Sequence, residues 1–185
     1  MQNKIAYILF LDAINDKSIQ QLFYIIANDI PRETETVYIA MCTEGGSVSH
    51  GIAAYNLLKA LPYEIIIHNI SNMDSIGNLV LMAGKKRYAT SQAVFLIHHV
   101  STTFKPSDKV SSSDLQEKLS SVKEDEERIN SILKAHTHLK EKDIKELYKV
   151  GQSKDAGYAL EKNIIHEIKE MVFPKGYKLF VVKEN

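Results

Sequence analysis

Residues 64–84 read EIIIHNISNMDSIGNLVLMAG, in which a polar segment separates two apolar runs. The first run, residues 64–70, is rich in isoleucine and predicts a buried strand, whereas residues 76–84 predict a buried helix. Ser75 therefore stands at the junction of two core elements. A serine in this place often only caps a helix, but loops that join core elements also carry chemistry on a rigid scaffold.

Strands and helices alternate on both sides of this stretch. Apolar runs bounded by polar residues predict further buried strands, and apolar residues at helical spacing predict helices between them. The predicted strands are residues 5–11, 36–42, 86–90 and 93–100, and the predicted helices are residues 16–30 and 47–61. Alternation of this kind favours a parallel sheet with crossover helices, so the predicted fold class is α/β.

The second half of the chain changes character at Thr102, where a polar, serine-rich segment begins. A long helix is predicted over about residues 112–138, with a charged stretch KEDEER and only a thin apolar stripe. Such a helix projects from the compact core, and its stripe favours self-association. The remaining predicted elements are helices at residues 140–149 and 154–162 and a strand at residues 177–183. Because no linker or repeat interrupts the chain, residues 1–185 are expected to form a single domain.

The composition excludes several classes of function. Of the 185 residues, 44% are apolar and 25% are charged, as in ordinary globular proteins. Basic and acidic residues number 23 each, so no net positive charge attracts a nucleic-acid backbone. No stretch has the length and apolarity of a membrane span, no export signal is recognised, and the single Cys42 fits a reducing compartment. We therefore expect a cytoplasmic protein with no nucleic-acid or membrane partner, no cofactor and no metal.

A pair of glycines follows the predicted strand 36–42, in the segment TEGGSV. Such a pair lets the backbone pass close to a ligand and leaves amide groups pointing at it. A phosphate-binding loop would need a lysine and a dinucleotide-binding loop a third glycine, so neither fits. Because parallel strands end at one edge of a sheet, the turn at Gly45 and Gly46 is expected to meet Ser75 there. Their amides would then bind a developing oxyanion.

A serine nucleophile needs a base, and His98 is the best placed histidine. It lies near the end of the predicted strand 93–100, so its ring is expected at the same sheet edge. By strand alternation, His99 is expected on the opposite side. The remaining histidines fall in helices, within a strand or near the tail. The arrangement follows the logic of a nucleophile elbow, although the sequence G-x-S-x-G is absent.

Three motifs together resemble the Clp protease proteolytic subunit, ClpP, in order and spacing over roughly residues 5–168. They are TEGGSVSHGIAAYNLLKAL (43–61), SNMDSIGNLVLMAGKKRYAT (71–90) and AVFLIHHV (93–100). In that family the corresponding patterns are approximately SPGGS-x-x-x-G, AASMGA and a strand ending in Ile-His. The resemblance implies the ClpP/crotonase-like fold and a serine peptidase.

The resemblance also implies roles for individual residues and for the long helix. Ser75 would be the nucleophile and His98 the general base, and the backbone amides of Gly46 and Ile76 would form the oxyanion hole. The helix at 112–138 would be the family's handle, through which two heptameric rings join to enclose a chamber. The implied substrate is a peptide or an unfolded protein.

Several positions depart from the family pattern. The position of the triad aspartate falls on Gly151, which has no carboxylate; Asp155 is the nearest acid, so the third triad member is left unknown. Asp74 replaces a small alanine and places negative charge beside the nucleophile, which favours a protonated, inactive His98. Val100 stands where the family has proline.

The two ends of the chain also differ from the family. The chain begins almost at its first strand, which argues against partnership with an ATPase unfoldase. The tail, residues 171–185, matches nothing in the family pattern and is expected to form a strand of its own.

Two alternatives to an active peptidase stay open. The first is a catalytically impaired assembly or interaction protein with this fold, because the triad aspartate is missing. The second is a crotonase-type acyl-CoA enzyme, since that fold shares the oxyanion turns. The crotonase alternative is weaker because it gives no role to Ser75 and His98.

Overall fold

The computed structural model describes residues 4–104 and 109–183. Eight strands form one sheet within this part of the chain. The strands are β1 (Ile5–Leu11), β2 (Thr36–Thr43), β3 (Glu64–Asp74), β4 (Lys86–Ala89), β5 (Val94–Leu96), β6 (Lys154–Asp155), β7 (Glu167–Ile168) and β8 (Leu179–Val181). The helices are α1 (Asp16–Tyr24), which a π-helical turn (Ile25–Asp29) continues, α2 (Val48–Ala60), α3 (Gly77–Leu81), α4 (Ser112–His136), α5 (Glu141–Val150) and α6 (Ala156–Glu161). The α/β class predicted from the alternating pattern is confirmed.

The sheet is parallel through its centre and branches at β3. Its main path runs β6-β5-β3-β2-β1-β8, with only β6 antiparallel, while β4 branches from β3 and pairs in turn with β7. The first half of β3 pairs with β4 up to Asn69, and its last three residues pair with β5. Asn69 joins the two halves, because its side chain donates to Val94 O at 3.0 Å and accepts from Ser71 N–H at 3.1 Å.

This branching makes β3 longer than the predicted strand 64–70. Residues 71–74 are polar except for Met73 and are predicted to lie in the loop before the helix, but they continue the strand because β5 supplies hydrogen-bonding partners for them. The helix that follows is correspondingly shorter than the predicted 76–84, since α3 spans only Gly77–Leu81. Ser75 thus lies directly at the end of a long central strand.

The C-terminal tail extends the sheet and covers one of its faces. Strand β8 runs parallel to β1, with Leu179 opposite Tyr7. The rings of Phe173 and Tyr177 stack on each other and meet the ring of Tyr7 edge-on at 5.3 and 5.8 Å between centroids. The strand expected at residues 177–183 is present but shorter, Leu179–Val181, and the aromatic rings that precede it cover the ring of Tyr7.

Helix α4 begins at a capping box and projects from the domain. The Ser111 hydroxyl accepts from the Asp114 amide, and the Asp114 carboxylate accepts from the Ser111 amide at 2.8 Å. Residues 111–121 are all exposed, whereas Leu133 near the other end is buried in the core. The helix expected over about 112–138 is thus Ser112–His136, and only its second half packs on the sheet domain. No helix in the described ranges combines the length and apolarity needed to cross a bilayer.

A buried arginine attaches the end of α4 to the domain. The Arg87 guanidinium donates to the carbonyl oxygens of His136, Asn163 and Ile164 at 2.8–3.0 Å. Burial lowers the pKa of Arg87 to about 10, because the charged form is desolvated. These charge-assisted hydrogen bonds satisfy carbonyls at a helix end that would otherwise lack partners.

Candidate functional site

Ser75 occupies a strained turn between β3 and α3. Its φ of 54° is in the left-handed region, which costs a residue with a side chain about 1 kcal/mol. The Ser75 amide donates to Leu96 O at 2.7 Å, so the end of β5 holds the turn. Strain of this kind, fixed by neighbouring backbone, is characteristic of residues that are presented to a ligand or a substrate.

Asn78, which was not predicted from the sequence, stabilises this turn through side-chain hydrogen bonds. Its side chain is buried and its amide group donates to Met73 O, Leu96 O and Ser75 O at 2.8, 2.9 and 3.2 Å. The hydrogen bonds connect the end of β3, the end of β5 and the Ser75 turn. Asn78 could have been found in the sequence as the one amide side chain at the start of an otherwise apolar helix, because a buried amide needs hydrogen-bond partners.

Gly45 and Gly46 are required by close packing around the serine. A Cβ on Gly45 would lie 2.6 Å from the Ser75 Cβ, and a Cβ on Gly46 would lie 2.3 Å from the Ile14 carbonyl oxygen. Both residues also have positive φ, 90° and 147°. The glycine pair therefore lets the β2–α2 turn fit between the serine and the loop after β1, as well as leaving room for a ligand.

Two backbone amides are free beside the serine. Neighbouring amides are used, since Ile14 N–H donates to Gly45 O and Ser47 N–H donates to Ile14 O. In the described part of the chain, no acceptor is found for the amide of Gly46 or of Ile76. Such amides suit a developing negative charge. Because α3 is only five residues long, they contribute as individual donors rather than through a long helix dipole.

His98 lines the same cavity as Ser75. Strand β5 ends at Leu96, so His98 and His99 lie beyond it, in irregular backbone. The prediction that His99 would face away by strand alternation is therefore wrong. The cavity measures about 70 Å³ and is lined by Gly46, Ser75, Ile76, His98 and His99, with Ile129 and Leu133 of α4 closing it.

The two histidines have different hydrogen-bond partners. His98 Nδ1 lies 2.7 Å from the carbonyl oxygen of His99. The ring of His99 approaches that of Tyr148 at 4.6 Å between centroids, and its Nδ1 lies 2.7 Å from the Glu126 carboxylate. Glu126 thus brings a negative charge from α4 to the edge of the cavity.

Asp74, next to the serine, is held in an unfavourable environment. Its Oδ1 is buried and has no hydrogen-bond partner in the described residues. Burial raises the pKa of Asp74, because desolvation disfavours the carboxylate, and the repulsion from Glu44 acts in the same direction. The negative charge expected beside Ser75 is therefore present only at a cost to the folded state.

We expect Asp74→Asn to stabilise the protein by about 1 kcal/mol at pH 8, because an amide removes the buried charge. The raised folded-state pKa means that ionisation penalises folding above the ordinary pKa of 3.8. The gain should therefore be full above the raised pKa and vanish toward pH ~4. Urea unfolding at the two pH values measures it, with the exposed Asp29→Asn as control. A gain that is equal at both pH values would contradict the assignment.

Neither Gly151, which stands at the expected triad position, nor Asp155, the nearest acid, has a hydrogen bond or ion pair with His98 in the described residues. Gly151 ends α5 in the left-handed conformation, and no atom lies within 4 Å of its Cβ position. Asp155 caps α6, because its Oδ1 accepts from the Tyr158 amide at 2.8 Å. Its backbone pairs with Val94, four residues before His98. Within the described ranges, no cluster of three or more metal-ligating side chains is found.

A parallel α/β sheet that presents a strained serine, a histidine and free amides to one cavity is typical of serine-dependent hydrolases. The Clp protease family profile matches residues 4–171. The chain therefore belongs to the Clp protease family, and the resemblance drawn from the three motifs is confirmed.

Individual relatives match over shorter stretches. The ATP-dependent Clp protease proteolytic subunit 1 of Leifsonia xyli subsp. xyli is 34% identical over 80 residues, which are 42% of this chain and 39% of that protein. Subunit 2 of Thermobifida fusca is 32% identical over 92 residues, 49% of this chain and 44% of that protein. Subunit 1 of Corynebacterium jeikeium is 33% identical over 92 residues, 49% of this chain and 47% of that protein. These alignments span less than half the length of the curated relatives.

Proposed function

We propose that this protein is a serine endopeptidase that hydrolyses peptides or unfolded protein through an acyl-enzyme on Ser75. The observation that carries the proposal is the cavity that Ser75 and His98 share with Gly46 and Ile76, whose amides have no acceptor in the described residues. Membership of the Clp protease family supports it independently. The strained backbone of Ser75 is consistent with a nucleophile held for attack.

In the acylation step, Ser75 Oγ attacks the peptide carbonyl carbon while His98 Nε2 takes the hydroxyl proton. The carbonyl oxygen becomes an oxyanion, which the amides of Gly46 and Ile76 stabilise. The intermediate collapses as the C–N bond breaks, and His98 returns the proton to the leaving amine. A water molecule then attacks the ester by the same route, which releases the acid and restores the Ser75 hydroxyl.

The experiment is labelling with a fluorophosphonate, which reacts with an activated serine and releases fluoride. We expect covalent labelling of the intact wild type, complete loss in Ser75→Ala and no change in Ser71→Ala. The second serine is an exposed neighbour in the same segment and serves as the control. Mass spectrometry of the labelled peptide identifies the site. Absence of labelling in the assembled wild type between about pH 6 and pH 9 would contradict an active enzyme.

The proposal includes self-association through α4, with the family's heptameric rings and double ring as the expected form. Leu115 and Leu119 are 53% and 54% exposed on the projecting half of the helix, one turn apart. Exposed leucines in a stripe of this kind suit burial against another copy of the chain. Rings of this form would enclose the substrate in a chamber.

We expect the double variant Leu115→Glu, Leu119→Glu to weaken the assembly by about 100-fold or more, since each buried leucine contributes roughly 2 kcal/mol. Native mass spectrometry or light scattering measures the change. Lys118→Glu, an exposed charge on the same turn, is the control and should assemble like the wild type. A strictly monomeric wild type would contradict the role proposed for α4.

A catalytically impaired assembly protein is the second candidate function. The reason to keep this alternative is Gly151, because the family resemblance assigns the triad aspartate to this position and a glycine has no carboxylate. In well-studied serine peptidases, loss of that group lowers turnover by about 10⁴-fold. The two candidates differ in one result: an impaired protein assembles normally but is not labelled at Ser75.

A further inference from the structure

The hydrogen bond from His98 determines which ring nitrogen carries the proton. His98 Nδ1 lies 2.7 Å from the His99 carbonyl oxygen, and a carbonyl can only accept. The proton of neutral His98 is therefore on Nδ1, and the lone pair is on Nε2. This is the tautomer that a triad aspartate imposes on its histidine. Here a backbone carbonyl imposes it.

The same peptide group is held at its other end by a carboxylate. The N–H that follows the His99 carbonyl belongs to Val100, and it donates to Glu126 Oε1 at 3.3 Å. The His99 ring donates to the same oxygen from Nδ1 at 2.7 Å. Glu126 is only 22% exposed in its side chain, so solvent screens it weakly. A continuous path thus runs from Glu126 through the 99–100 peptide to His98.

The charge of Glu126 acts on His98 along this path. A negative charge at the N–H end of a peptide group polarises the group and makes its carbonyl oxygen a stronger acceptor. The stronger acceptor stabilises the imidazolium that forms when His98 takes a proton, and it restrains the ring. The result is the effect of a triad aspartate, transmitted through one peptide group.

Resting on the peptidase function proposed above, we infer that Glu126 is a positioning residue for His98 and replaces the missing aspartate through the 99–100 peptide. Glu126 does not contact the substrate in this arrangement. Because Glu126 lies on α4, the orientation of the His98 ring also depends on how α4 packs against the sheet. Gly151 can then lack a carboxylate without leaving His98 unsupported.

Other ionisable groups near the path also affect a pH profile, so their effects must be distinguished from the effect of Glu126. They are His99 beside it, Tyr148 on α5, Asp74 at the end of β3 with Glu44 next to it, and the Asp125–Arg128 ion pair on α4. Glu126→Gln leaves all of these groups unchanged, removes only the charge of Glu126 and keeps an oxygen that can accept from Val100. Glu127→Gln is the matched control, because Glu127 is the exposed neighbour on the same helix.

The first measurement is the rate of fluorophosphonate labelling of the full chain against pH. We expect Glu126→Gln to lower the plateau rate by about tenfold and to shift the rising limb to lower pH by about half a unit. The shift is downward because His98 loses a partner for its charged form. Glu127→Gln should match the wild type. A Glu126→Gln profile identical to the wild type would overturn the inference.

The second measurement does not depend on activity. Proton–nitrogen spectra of histidine-labelled protein report the tautomer of His98 and the strength of its Nδ1–H hydrogen bond. We expect the Nδ1–H tautomer in the wild type and an upfield shift of the Nδ1 proton in Glu126→Gln, because the His99 carbonyl becomes a weaker acceptor. A neutral His98 protonated on Nε2, or an unchanged Nδ1 proton shift, would overturn the inference.

The two measurements separate failure of the inference from failure of the proposed function. If the wild type is not labelled but the His98 Nδ1 proton shifts upfield in Glu126→Gln, the peptidase proposal fails and the positioning role stands. His99→Phe removes the second possible base while keeping an aromatic ring beside Tyr148. A large loss in that variant, together with a wild-type rate in His98→Ala, would identify His99 as the base and overturn the inference.

Discussion

His98→Ala lowers the rate of acyl-enzyme formation on Ser75 by roughly 10⁴-fold, which is the largest effect that we expect on activity. A serine hydroxyl is too weak an acid to attack unaided, and His98 shares a cavity with it. The free amides of Gly46 and Ile76 would still stabilise the oxyanion, so a residual rate above that in water should persist. Pre-steady-state hydrolysis of a fluorogenic peptide measures the loss.

The control for this variant is His138→Ala. His138 is exposed and lies outside the cavity, so its removal should leave the rate within about twofold of the wild type. Thermal unfolding of both variants shows whether either change disturbs the fold. A His98→Ala enzyme that keeps wild-type activity would require a different base and would contradict the mechanism.

Gly46→Ala lowers the free energy of unfolding by about 3–5 kcal/mol, the largest effect that we expect on stability. Its Cβ would lie 2.3 Å from the Ile14 carbonyl oxygen, and that backbone is fixed by hydrogen bonds to Gly45 and Ser47. Neither Gly46 nor Ile14 can move without breaking the packing of the β2–α2 turn against the loop after β1. Urea unfolding measures the change.

Gly151→Ala is the matched control for this clash. Gly151 also has positive φ, but no atom lies within 4 Å of its Cβ position, so only the conformational cost of about 1 kcal/mol applies. If Gly46→Ala is too unstable to purify while Gly151→Ala folds, the result also supports the clash with Ile14 as the main cause of the loss. Equal losses in the two variants would show that positive φ alone, rather than the contact with Ile14, makes Gly46 necessary.

The sequence predicted most of the sheet correctly because short-range periodicity reports burial. Strands β1 and β2 and helix α2 begin and end within about one residue of the predicted bounds. The prediction failed at β3 and β5, where Asn69 and its contact with Val94 let the sheet branch. That contact joins residues 25 apart, and periodicity within a window carries no information about it.

The candidate site was likewise predicted only in part from the sequence. Ser75, His98 and the glycine pair could be named from the sequence, because parallel strands place their carboxyl ends at one edge. Asn78 and Glu126 were not named, because the value of each depends on which carbonyls and amides approach it after folding. Glu126 reaches His99 across 27 residues of chain.

By itself, the sequence determined the α/β class, the direction of the strands, the sheet edge where the candidate site lies and the absence of a carboxylate at residue 151. These features follow from apolar spacing, glycine positions and residue identity, which are local properties of the chain. The tertiary structure decided that His98 and His99 share a cavity and that Glu126 reaches the peptide behind His98. Irregular backbone after β5 and long-range packing of α4 set these contacts, and no local pattern encodes either.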